Sequence, residues 1–89
     1  MSKPHEQLLE FPCPFPIKAI GKGEADFREL VIEIVRRHAP DLNTSQVSVR
    51  ESSGSKWLAV TLVILATNQM QIDAIYRDLS SHERVAWTI

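Results

Sequence analysis

The chain has 89 residues, 44% of them apolar and 24% charged, with a formal net charge of −1. That is enough for one domain with a core of its own, without the bulk basic charge usual in nucleic-acid-binding domains. The single cysteine, Cys13, excludes an internal disulfide framework, and with no signal-peptide pattern the expected location is the reducing cytoplasm.

Residues 1–14 read as a proline-rich N-terminal arm. Pro4, Pro12, Pro14 and Pro16 oppose helix and central-strand pairing nearby. The arm also carries Leu8, Leu9 and Phe11, with Phe15 just beyond it. Each such side chain gains about 1.5–3 kcal/mol on full burial, so the arm is expected to lie over the domain or a partner.

Residues 15–89 read as a single domain. Phe15 to Gly21 alternates as a first strand, and Gly21 and Gly23 bracket a turn. A helix follows from about Glu24 to Asp26, with Asp26 and Glu29 in capping-box register. Its apolar stripe is Phe27, Leu30, Val31, Ile34 and Val35, and Pro40 stops it. Val47 and Val49 mark a half-buried second strand. Ser52 to Ser55 form a hairpin turn in which Gly54 is free to take positive φ.

Trp57 to Ala66 is a third strand that is apolar on both faces. Leu58, Val60, Leu62 and Ile64 alternate with Ala59, Thr61, Val63 and Leu65. It is interrupted by Thr61 and is about half the ~20 residues a spanning helix needs, so no membrane segment is expected. Thr67 or Asn68 caps a second helix that turns Ile72, Ile75, Tyr76 and Leu79 inward. Val85, Trp87 and Ile89 form the last strand.

The hairpin makes strands two and three antiparallel neighbours, and each helix is a crossover. Right-handed crossovers then give an α+β, ferredoxin-like βαββαβ sandwich of sheet order 4-1-3-2, with both helices on one face.

Chemistry is sparse. Cys13 lies between two prolines and has no histidine at motif spacing, so it reads as a packing residue. His38 falls at a helix C-terminus, where it caps or packs. His5 and His82 are isolated, and no metal-ligand spacing is present. No catalytic residue, metal or cofactor is expected. Gly21, Lys22 and Gly23 precede a helix N-terminus and form a candidate ligand turn, although neither the full phosphate-loop nor the dinucleotide glycine pattern is there.

Lys18, Ile20, Ala59, Thr61, Val63 and Leu65 are assigned to the face without helices, none of them an aromatic base-stacking residue, so no nucleic-acid partner is expected. Ile20, Val63 and Leu65 are the candidate partner surface. The arm, a second copy giving a homodimer, or another protein could cover the apolar patch of Ala59, Val63, Leu65, Ile20 and Ala86.

Leu8-Leu9-Glu10-Phe11-Pro12, Pro14-Phe15, Lys18 and Arg37-His38-Ala39-Pro40 resemble the YbeD-like family of small uncharacterised bacterial proteins, over Leu8 to Ile89. The resemblance implies a ferredoxin-like fold akin to ACT-type regulatory modules and no established activity. It implies a small ligand near Gly21 to Glu24, at a dimer interface, and a gene-neighbourhood association with lipoate biosynthesis. The expectation is therefore a non-enzymatic regulatory or adaptor domain that binds another protein. The alternative is a sensor of an amino acid or a lipoate-pathway metabolite.

Overall fold

A computed structural model describes residues 10–52, 54 and 56–89. Most of the expected arm, including His5, Leu8 and Leu9, lies outside the described residues. In chain order the elements are β1 (Cys13–Lys22), α1 (Phe27–Arg36), a 3-10 turn (Thr44–Gln46), β2 (Ser48–Glu51), β3 (Trp57–Ala66), α2 (Gln69–Ser80) and β4 (Val85–Thr88). The sheet order is β2-β3-β1-β4, the expected 4-1-3-2 order read from the other edge.

The core forms where the helices cover one face of the sheet. Ile17 and Ala19 on β1 meet Val60, Leu62 and Ile64 on β3. From above come Phe27, Val31, Ile34 and Val35 of α1 and Ile72, Ile75 and Leu79 of α2, all essentially without solvent contact. These helix positions recur every three or four residues, as a stripe facing a sheet requires. Ile32, off the expected stripe, is also buried. Its neighbour Arg28 donates a hydrogen bond to the Thr44 carbonyl at 3.2 Å, which ties the 3-10 turn to α1.

The two helices start differently. Asn68 caps α2, its side-chain oxygen accepting from the Gln71 N–H at 2.8 Å. Asp26 occupies the N-cap of α1 but makes no side-chain capping bond, so the expected capping box does not form. Its carboxylate binds Arg84, 58 residues away in sequence. Gly54 takes φ of 80° in the β2–β3 turn, where any other residue would be strained.

β1 starts at Cys13, two residues earlier than the prolines suggested. The reason is parity. Odd-numbered residues of β1 exchange their backbone bonds with β3, from Cys13↔Ala66 to Gly21↔Leu58. Even-numbered residues point theirs the other way, as Lys18 does in bonding Ile89. Pro14 and Pro16 are even-numbered and lie past the described pairing of β4, so their missing N–H groups cost the ladder nothing. On the helix side of the strand, Phe11, Cys13 and Phe15 are half-buried against the core. Phe15 meets Tyr76 edge to face at 6.4 Å.

β2 is an exposed edge strand, with Val49 42% exposed. The expected half-buried character belongs to Val47, in the turn before it.

Candidate functional site

Strand alternation places a second set of side chains on the face without helices. The pairing arranges them in rows. Arg50, Ala59, Ile20 and Trp87 make one row, Ser48, Thr61 and Lys18 the next, then Val63 with Pro16, and Leu65 with Pro14.

Trp87 reaches this face through a β-bulge. Val85 pairs with Gly21 and Trp87 with Ile20, so one residue of β1 steps past two of β4. The extra residue reverses the side-chain parity of the strand. Val85 points into the core at 7% exposure while Trp87 turns outward at 49%. There it meets Trp57, the first residue of β3, at a ring-centroid distance of 5.3 Å and an interplanar angle of 53°. Such a pair contributes about 0.5–1.5 kcal/mol beyond its buried area. The sequence expectation puts Ala86 in this patch, because Val85, Trp87 and Ile89 alternate as if they shared the other face; the bulge puts Trp87 there instead.

The three residues of the candidate partner surface are not brought together. Ile20 borders a groove with both tryptophans and is only 8% exposed. Val63 and Leu65 are 40% and 50% exposed toward the other end of the face. They border a groove of about 220 Å³ with Pro14 and the Leu42–Asn43 turn.

The candidate ligand turn sits beside a cleft of about 340 Å³ walled by Lys22, Glu24, Trp57 and Arg84. Its backbone is largely committed. The Gly23 N–H donates to the Lys56 carbonyl at 3.0 Å and the Glu24 N–H to the Lys22 carbonyl at 2.8 Å. These groups do not form an open donor cradle for an anion. Gly21 has a packing role, since a Cβ there would lie 2.5 Å from the Arg84 carbonyl oxygen and from the Phe27 ring.

Arg84 clamps this end. Its guanidinium reaches Asp26 at 2.6 and 3.2 Å and Glu24 at 2.8 Å. The hydrogen bond from Arg84 is the main reason that the Asp26 pKa lies below the ordinary carboxylate value. At the other end of α1, His38 Nε2 lies 2.6 Å from Asp78 Oδ2 of α2. The His38 contact is the main cause lowering the Asp78 pKa. Gln71 adds a second tie by donating to the His38 carbonyl at 2.8 Å. His38 therefore joins the two helices. The His82 ring nitrogen accepts from the Arg84 N–H at 3.2 Å, shaping the turn before β4.

Among the described residues no group of three or more His, Cys, Asp or Glu side chains could hold a metal ion. Among them, no helix is long and apolar enough to cross a membrane.

The fold and this face define a small ferredoxin-like domain with helices on one side of its sheet and, on the other, an aromatic-bearing surface that no other described element covers. The chain belongs to the DUF493 family, described as proteins of unknown function, whose family model matches residues 6–89. It is 44% identical over 85 residues to a UPF0250 protein of Chromobacterium violaceum, covering 96% of each chain. It is 40% identical over 82 residues to a UPF0250 protein of Ralstonia nicotianae, covering 92% of this chain and 84% of the relative. The solution structure of protein HP0495 from H. pylori has the same fold, with a TM-score of 0.65 at 16% identity, covering 91% of this chain and 85% of that one.

Proposed function

We propose that this is a non-enzymatic regulatory or adaptor domain of the cytoplasm that binds another protein through its open sheet face. The observation that carries the reading is the concentration of exposed large apolar groups there. Val63, Leu65 and Trp87 are 40%, 50% and 49% exposed on one side of one sheet. Single apolar residues are ordinary on a surface, but large ones left exposed at both ends of one sheet face mark a contact site. The deciding experiment compares the intact chain with Val63→Glu and Trp87→Ala as baits in native extract, with Glu33→Lys on the helix side as control. A protein retained by wild type and the control but lost from both face variants supports the reading. Equal retention by all four overturns it.

A second reading, a small-metabolite sensor, is favoured by the cleft beside Lys22 and Trp57. A thermal-shift screen against amino acids, nucleotides and lipoate-pathway metabolites tests it. A dose-dependent rise in Tm supports preferential binding to the folded chain, and a flat panel removes the reading.

A further inference from the structure

The open face is segregated by charge as well as by polarity. Its charged strand positions are Lys18, Lys22 and Arg50, and none of its strand positions is Asp or Glu. This holds in a chain whose net charge is −1. Among the described residues no ion pair engages these three cations; off this face Arg28, Arg37 and Arg84 are paired, and Arg36, Lys56 and Arg77 are not. Lys18 stands in the middle row, between the Ile20–Trp87 row and the Val63 row. Those outer rows are four residues apart on β3, about 13 Å at strand rise.

We propose that the open face takes an acidic peptide segment of a partner protein. The segment carries two apolar anchors, one for the tryptophan end and one for the Val63–Leu65 end, with a carboxylate between them over Lys18. This rests on the protein-binding reading and specifies the chemistry of the partner. Charge complementarity selects this occupant. A second copy laid face to face would set the strand cations Lys18, Lys22 and Arg50 against the same cations, because the carboxylates near this face, Asp41 and Glu51 among them, line its end grooves and not its strand positions. Single-stranded nucleic acid would leave the aliphatic end unused.

The test is selection of random twelve-residue peptides on the intact chain. Affinities are then read from the fluorescence of Trp57 and Trp87, the chain's two tryptophans. The expected winners are rich in Asp and Glu around aliphatic or aromatic anchors, and added salt weakens them. Lys18→Glu lowers their affinity at least about tenfold and Lys18→Gln less, with unchanged circular dichroism. Neutral or basic winners that still require Trp87 overturn the acidic inference and leave the protein-binding reading standing. Winners indifferent to both Trp87→Ala and Lys18→Glu, or no winners, overturn both. A dimer in sedimentation that Val63→Glu dissociates assigns the face to a second copy. Tryptophan quenching by oligouridylate assigns it to nucleic acid. Peptide binding that appears only after removal of residues 1–9 assigns it to the chain's own arm. Each of these last three results overturns the proposal.

Discussion

The two faces of this sheet are built from the same strands and answer to different demands. Toward the helices, β1 and β3 present Ile17, Ala19, Val60, Leu62 and Ile64, each at most 1% exposed. Every change of volume there is felt, because close-packed interiors relax little. On the other face Val63 and Leu65, from the same strand, remain 40% and 50% exposed. The comparison teaches that apolarity alone does not identify core in β3. Its two sets of side chains are similarly apolar, and the crossover helices decide which set is buried.

Four measurements test that division. The largest effect is expected from Phe27→Ala, which removes a ring with no solvent exposure under α1. It should cost about 3–5 kcal/mol in denaturant titration. Gly21→Ala comes next. The added methyl would lie 2.5 Å from the Phe27 ring and the Arg84 carbonyl, and overpacking of this kind costs about 1–3 kcal/mol. Normal stability in this variant would show that β4 gives way freely at the bulge.

The third concerns acid. Asp26 and Asp78 both have pKa values below the ordinary carboxylate value, held down mainly by Arg84 and His38. A lowered folded-state pKa contributes stability that is complete above the unfolded value. That stability disappears as pH falls through the folded value. Tm should therefore drop on acidification below about pH 4, the ordinary carboxylate range. The Asp26→Asn and Asp78→Asn double variant should show a shallower drop. An identical slope would mean that the clamps add nothing to folding. The smallest effect is expected from Val63→Glu, whose stability should stay within about 0.5 kcal/mol of wild type. A large loss would place Val63 in the core and break the division between faces.

Local pattern was enough for most of the fold. The stripes at 27, 31, 34, 35 and at 72, 75, 79 specified both helices, and β3 runs over the expected Trp57–Ala66. What escaped was non-local. Asp26 resembles a cap until Arg84 arrives from 58 residues away. Ile32 lies off the stripe that local periodicity gives, yet it is buried in the core. Trp87 looks inward-facing because nothing in Val85 to Ile89 announces an extra residue, and the bulge exists only relative to β1. The site was half legible for the same reason. Val63 and Leu65 follow from alternation, whereas the tryptophan pair and the covering of Ile20 depend on register.

The prolines of β1 bear on solubility. Strand rims invite polymerisation because an incoming chain finds donors and acceptors already aligned. Along the stretch of β1 past its pairing with β4, Pro14 and Pro16 supply carbonyls without donors. A stray strand has half a ladder to climb there. The same residues that made the start of the strand hard to read act as gatekeepers against fibrils along that stretch of rim, beside the exposed Val63 and Leu65 of the neighbouring strand.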